Sequence, residues 1–291
     1  MTEVFEAYRK NFLAGEYAAC QHGRALLFNY GPKFHLKPAK YWHLSQIGLR
    51  IIQTYSLSQH PEPMDFYDPI VNHGGVGASS AEISCLYRWL IKTNILSEKK
   101  TLLDKVKWYQ RHTWNQIGLP PSGVDFISQH QQGLIWVDVN QNKCTQINWP
   151  FDDIDCMVVK TKDKIATHKH LETITPSMDF KELNDCLDPL YHALQTSDRN
   201  GFFHTLKMWD DALKALNLFT PLPHDQEEKL MSCQGLLYRR GSGALGADTW
   251  LIFYTPEYRL TLIQTLNALG YTHLYPLHLE KKHANTHYHA E

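Results

Sequence analysis

Apolar and polar residues along the first forty positions follow the short periods of strands. "KNFLAGEYA" (10–18) is an apolar segment ending in Gly-Glu, "RALLFNY" (24–30) is β-compatible, and "KFHLKP" alternates up to Pro38. Residues 43–56 read as helical, and the polar, proline-bearing stretch "SLSQHPEPMDFYDP" as a loop. From Ser79 to Lys92 the apolar residues Ile83, Leu86, Tyr87, Leu90 and Ile91 recur at spacings of three and four, which predicts a helix. A further helix is predicted over 100–117, closed by "GLPPSG", followed by strands at "GLIWVDVN" and "DCMVVKT". The span 178–217 is helix-rich and broken at "SDRNG" (Ser197–Gly201). "WLIFYT" reads as a strand and "PEYRLTLIQTLNALG" as a helix that starts at Pro256 and stops at Gly270. The pattern changes character near "WPFDDID", which sets an expected boundary between units 1–155 and 156–291.

Composition narrows the class. With 291 residues, 43% hydrophobic and 20% charged, the chain can bury a substantial core without disulfides. Lys plus Arg (29) nearly cancel Asp plus Glu (30), so no global field draws it to nucleic acid or an anionic membrane. Any anionic ligand must be held by local groups. Six scattered cysteines without a CxxC pair suit free thiols in a reducing compartment. The charged N-terminus lacks the apolar core of a signal peptide, and no run of 18 apolar residues occurs. A soluble cytoplasmic protein, monomer or homodimer, is expected.

The chemistry lies in three glycine-containing segments. "NHGGVGASSAEI" (72–83) puts Gly74, Gly75 and Gly77 directly before the predicted helix. Glycine lets backbone N–H groups approach a ligand closely, and a helix N-terminus adds unpaired N–H groups and the positive end of its dipole. Such a turn can cradle phosphate, with Ser79 or Ser80 offering a hydroxyl to Mg2+; equally, it can be a plain turn with a serine N-cap. No Gly-Lys-Ser/Thr follows, and the third glycine of a dinucleotide fingerprint is missing. Lys10 opens the N-terminal "KNFLAGEYAA", and "RRGSGALGAD" near the C-terminus carries a second glycine turn before a strand.

In order and spacing these segments resemble the three motifs of the GHMP kinase superfamily, over residues 10 to 254. "KNFLAGEYAA" is similar to its Lys–apolar–Gly-Glu-His/Tyr motif, "GGVGASSAE" to its phosphate loop, and "GSGALGAD" to its third glycine motif. "PPSGVDF" resembles the Ser-Gly-x-Asp segment of mevalonate-type kinases, which puts Asp125 beside the acceptor. The resemblance implies an α+β fold in two domains, N-terminal ribosomal-S5-like and C-terminal ferredoxin-like, with ATP and acceptor meeting between them. It implies Lys10 and Asp125 as catalytic groups; Gly74, Gly75, Gly77, Ser79 and Ser80 around the ATP phosphates; and Ser79 on Mg2+. Glu16, Tyr17, Ser122, Lys162, Lys164, Thr167, Gly243 and Asp248 are the implied substrate-binding positions.

The mevalonate branch fits best. "VVKTKDKIATHKHLE" concentrates Lys160, Lys162, Lys164, His168, Lys169 and His170, either a solvated basic face or a cradle for an acceptor that already carries phosphate. With Gly-Glu-Tyr in place of Gly-Glu-His, this puts 5-phosphomevalonate ahead of mevalonate as the acceptor. A diphosphomevalonate decarboxylase and an inactive nucleotide-binding relative are the further alternatives. Departures from the family pattern are Tyr8-Arg9 in place of Pro-Gly, Lys162 in place of a glycine, Trp114 in place of a metal-binding glutamate, and a short interval from Lys10 to Gly75. The tail histidines His283, His287 and His289 read as a frayed polar terminus.

Overall fold

A computed structural model describes residues 3–70, 75–161, 167–174, 177–221, 224–271 and 274–277. The N-terminal half runs β1 (Phe5–Ala14), α1 (Ala18–His22), β2 (Arg24–Pro38), α2 (Gln46–Thr54), β3 (Met64–Tyr67), α3 (Ala78–Lys92), α4 (Leu102–Thr113), α5 (Val124–Ser128), β4 (Gly133–Asp138) and β5 (Lys143–Ile147). The C-terminal half runs β6 (Asp155–Lys160), α6 (Thr167–Thr173), α7 (Lys181–Asp185), α8 (Leu187–Thr196), α9 (Arg199–Ala215), α10 (His224–Met231), β7 (Leu236–Ser242), β8 (Thr249–Tyr254), α11 (Arg259–Ala268) and β9 (Leu274–Pro276). Two antiparallel sheets result, one ordered β1-β2-β4-β5 with β3 on the far end of β2, the other ordered β7-β8-β6-β9.

The period of two along the strands explains how these sheets stack. In β2 and β4, Leu26, Phe28, Leu134 and Trp136 face one core while Ala25, Leu27, Ile135 and Val137 face another. In β6 and β8, Val158, Leu251 and Phe253 join that first core, and Met157, Val159, Trp250 and Ile252 face a third. Both sheets are therefore covered on both faces, which is why "GLIWVD" and "TWLIFY" are apolar without a polar alternate. Helices α2 to α5 cover the outer face of the first sheet, and α10 and α11 that of the second. The central core, with α7 to α9 packed into it, is shared by both sheets.

The chain passes between the sheets at residues 148–154, and this passage buries three apolar side chains while Asn148, Asp152 and Asp153 stay exposed. Trp149, Phe151 and Ile154 lie in the central core, with Trp149 stacked on Phe253 and its Nε1–H donating to the Ile154 carbonyl at 2.8 Å. A buried network ties the halves together a second time. The Arg240 guanidinium donates to both carboxylate oxygens of Glu16, at 3.2 and 3.3 Å, and its Nε stands 3.7 Å from Asp210 Oδ1. Tyr238 in turn donates to Asp210 Oδ2 at 2.7 Å. Burial raises the Glu16 and Asp210 carboxyls above their ordinary values, and Arg240 opposes the rise at each.

Several elements differ from the sequence reading. The loop expected at 56–69 contains β3, a four-residue strand that pairs with the far end of β2. The serine N-cap expected for α3 does not form: the cap residue is Gly77, in the left-handed region at φ 83°, and Ser80 Oγ donates back to the Gly77 carbonyl at 3.1 Å. The turn at "PSGVD" leads straight into α5. The helix predicted over 100–117 ends at Thr113, and the Pro256 helix begins as a single tight turn before α11. Strands β5 and β7 and helix α10 carried no readable pattern. β5 is a short edge strand with exposed polar residues, and β7 carries Arg239 and Arg240 among its seven residues. The break at Ser197 matches its expectation, with Ser197 left-handed and Asp198 capping α9 through the Gly201 N–H.

Removing Arg240 would leave two buried carboxylates facing each other without a cation. We expect Arg240→Met to cost about 3–5 kcal/mol, read as a lowered urea midpoint. The sign with pH follows from the raised carboxyls. The folded chain holds protons that the unfolded chain has released, so stability is lost as pH rises through the folded values. Losing the cation raises both carboxyls further, so the deficit should widen as pH rises above the ordinary carboxylate range. A midpoint equal to that of the parent chain would refute the role given to this network.

Candidate active site

β1 lies against the glycine loop and α5, and it carries most of the geometry. Its Lys10 N–H donates to the Val76 carbonyl at 3.0 Å, docking the strand against the loop before α3. The Lys10 side chain then runs to Asp125, with Nζ 3.6 Å from Oδ2, both groups partly exposed. Nζ also lies 4.3 Å from the Phe12 ring centroid, as two residues on one side of a strand allow. Asp125 occupies the first turn of α5, where the Phe126 N–H donates to its Oδ1 at 2.9 Å and leaves Oδ2 to the lysine. Ser122 and Gly123 form the turn before it, half-buried and buried respectively.

The loop before α3 has no room for side chains. A Cβ on Gly77 would stand 2.7 Å from Lys10 Cγ and one on Gly75 2.8 Å from Asp248 Cβ, while both residues hold φ at 83°. Only glycine meets both demands. The first and third glycine segments therefore flank the second, Lys10 on one side and Asp248 on the other. Gly243, at φ 95°, lies against the same aspartate. In the first turn of α3, Ser79 is exposed, whereas Ser80 is buried and bonded inward.

The Gly-Glu-Tyr residues point to the C-terminal half. Glu16 is buried against Arg240, and the Tyr17 hydroxyl accepts the Leu245 N–H at 2.9 Å from the third glycine segment. Tyr17 also meets the His170 ring edge-on, centroids 5.7 Å apart, and burial pushes the His170 pKa down so that the ring is neutral near pH 7. Cys20 lies close enough to Asp125 to respond to it: burial, then the carboxylate, push the thiol up to about 12. Tyr109 responds to the same two influences in the same direction.

Gly74, Lys162 and Lys164 lie outside the described residues, as do the tail histidines. Thr167 is the first residue of α6. Thr161, at the other end of that basic segment, bonds through its hydroxyl to the Ala247 carbonyl and to the Asp248 carbonyl at 2.8 Å. Among the described residues, no group of three or more His, Cys, Asp or Glu could by itself hold a metal ion, and no helix is long and apolar enough to cross a membrane.

Three side chains that hold this arrangement were not among the site residues expected from the sequence. Gln129, fully buried, donates from Nε2 to the Tyr8 and Gly77 carbonyls, both at 2.9 Å, and so clamps β1 to the start of α3. Arg9 is fully buried, lies over the Phe34 ring and pairs with Asp68, which also accepts the Ile70 N–H at 2.9 Å shortly before the glycine loop. Asn11 bridges the sheets by donating to Thr249 while accepting from Tyr30. Arg9 was visible only as a departure from Pro-Gly; Gln129 and Asn11 are ordinary polar residues in sequence.

No protein-family model matches the chain, and no curated protein matches it. Among solved structures it is similar to Streptococcus pneumoniae phosphomevalonate kinase in complex with phosphomevalonate and AMPPNP, at 16% identity and TM-score 0.71, covering 94% of this chain and 100% of that one. It is similar to L. major mevalonate kinase in complex with R-mevalonate, at 15% identity and TM-score 0.65, covering 95% of each chain. A third similar structure is Lactococcus lactis galactokinase complexed with galactose, at 14% identity and TM-score 0.68, covering 96% of this chain and 94% of that one. At these identities the likeness is one of fold, and the chain has the mixed helix-and-sheet fold of the GHMP kinases.

Proposed function

We propose that this chain is an ATP-dependent kinase of the mevalonate pathway that phosphorylates 5-phosphomevalonate. The observation that carries the kinase reading is the Lys10–Asp125 pair at 3.6 Å beside a glycine loop that opens α3. Phosphoryl transfer asks a protein mainly for positioning and charge neutralisation. Backbone N–H groups from Gly75 to Ser79 and the positive end of the α3 dipole supply an anion cradle for the β- and γ-phosphates. The loop is shaped to leave that space open, since Cβ atoms at Gly75 or Gly77 would fill it. Mg2+ suits the same cradle, because it takes oxygen ligands and binds through one or two protein groups plus phosphate oxygens. Ser79 has the exposed hydroxyl and is the ligand we assign; when bound, the ion neutralises charge on the phosphates.

Lys10 stabilises the charge that develops on the transferred group, and Asp125 orients the acceptor. A hydroxyl acceptor also needs its proton removed, which Asp125 can do, whereas a phosphate acceptor does not. The carboxylate at Lys10 therefore supports mevalonate as the second reading. We also propose residue 155 as the domain boundary, since the first sheet ends at Ile147 and the second begins at Asp155.

A substrate panel with ATP and Mg2+, read by ADP release and phosphorus NMR of the product, should show turnover of 5-phosphomevalonate and a new diphosphate signal. Turnover of mevalonate alone would select the second reading, and turnover of neither would sink both. Asp125→Asn should lower kcat by about 10²- to 10⁴-fold if the acceptor is a hydroxyl and by less if it is a phosphate. In both cases nucleotide affinity by calorimetry should stay near that of the parent; unchanged kcat would remove Asp125 from the mechanism. Ser79→Ala should weaken the Mg2+ dependence of nucleotide binding without changing the urea midpoint. Ser80→Ala should do the reverse, by about 1 kcal/mol of lost hydrogen bonding. An inverted pattern would move the assignment by one residue.

A further inference from the structure

A cavity of about 560 Å3 opens between the start of β1, the C-terminal half of α3, α4 and α5. Lys10, Gly75, Gly77, Ser79 and Asp125 do not line it. Its floor is apolar, built from the buried side chains of Phe5, Tyr87, Phe126 and Ile127. Its rim is charged. Lys92 pairs with Glu3 at 3.8 Å and Lys105 with Glu98 at 3.3 Å, so these four charges offset one another. Arg88 is left over: it donates from Nη2 to the Glu6 carbonyl at 2.8 Å, its Nε is buried without a hydrogen-bond partner, and it makes no ion pair among the described residues.

A second depression of about 320 Å3 adjoins the first, sharing Glu98 and Lys105 and adding Lys99 and Lys100. Neither added lysine side chain makes an ion pair among the described residues. Across the two, five cations meet two carboxylates, on a chain whose net charge is -1. An apolar hollow of this size with a few convergent polar groups has the character of a small-molecule site. The uncompensated cations give it a sign.

We propose that this cavity is a second ligand site, separate from the glycine-loop cleft, for a compact amphiphile with an anionic head (phosphate or carboxylate) on an apolar body. The floor takes the body, and Arg88, Lys99 and Lys100 take the head. The inference goes beyond the kinase reading and stands whether or not that reading holds.

The probe is 8-anilinonaphthalene-1-sulfonate, titrated by fluorescence into the full folded chain. Saturable one-site binding is expected, displaced by octyl phosphate or octanoate below their micellar concentrations and not by AMPPNP. The double variant Lys99→Glu/Lys100→Glu changes only surface charge and should weaken binding by about tenfold. Arg88→Met should weaken it as well, but the lysine pair decides the matter should that variant fail to fold. Unchanged affinity in the lysine variant, displacement by AMPPNP, or no saturable binding at all would each overturn the proposal. Cosedimentation with anionic phosphatidylglycerol vesicles, lost in the lysine variant and without binding of monomeric octyl phosphate, would overturn it in favour of a lipid surface.

Discussion

β1 has to satisfy three neighbours at once, and the candidate site exists because it does. Its backbone bonds to the glycine loop at Val76, its side chains Asn11 and Glu16 (the latter just beyond the strand) engage the second sheet, and Lys10 reaches Asp125 on α5. A strand can do this because successive residues point to opposite sides, so one short segment addresses two layers. The glycine at 77 closes the arrangement. With no Cβ, it lets the lysine stem pass within van der Waals distance of the loop backbone, which any side chain would prevent.

The Glu16–Arg240–Asp210 network belongs to the same constraint. A buried ion group contributes little net stability, because desolvation offsets most of its Coulomb attraction. What it provides is registration. Arg240 sits on β7, Asp210 on α9 and Glu16 just after β1, so the network fixes the two sheets at the edge where the first and third glycine segments meet. The Tyr17–Leu245 hydrogen bond acts at the same seam, directly on the third segment. The shared central core, with Trp149 stacked on Phe253, resists sliding of one sheet over the other through close packing. Gln129 and Arg9 repeat the principle at shorter range, one clamping the start of α3 and the other holding the chain that leads into the loop.

Much of this was legible from the sequence, for a definite reason. Strands buried on both faces leave continuous apolar runs, long amphipathic helices leave spacings of three and four, and glycines forced by close approach leave clusters that no other residue can replace. Those signals located β4, β6, β8, α3 and α9, while the resemblance to the GHMP kinase motifs joined the glycine loop, Lys10 and Asp125 into one ordered set. Short edge strands and single turns leave no such trace, so β3, β5 and α5 were visible only in the fold.

What the sequence determined by itself was the run of its main helices and strands and which residue types could cradle phosphate, because both depend on local periodicity and on glycine's freedom; the fold class came from the resemblance of its ordered motifs. The tertiary structure decided everything that rests on distance. It chose Ser79 over Ser80 as the exposed hydroxyl, by turning Ser80 back onto Gly77. It turned Glu16 and Tyr17 toward the C-terminal half, and it drew Lys10 and Asp125, 115 positions apart in sequence, to 3.6 Å. Such pairings follow from how two sheets close on one core, and no window of sequence contains that information.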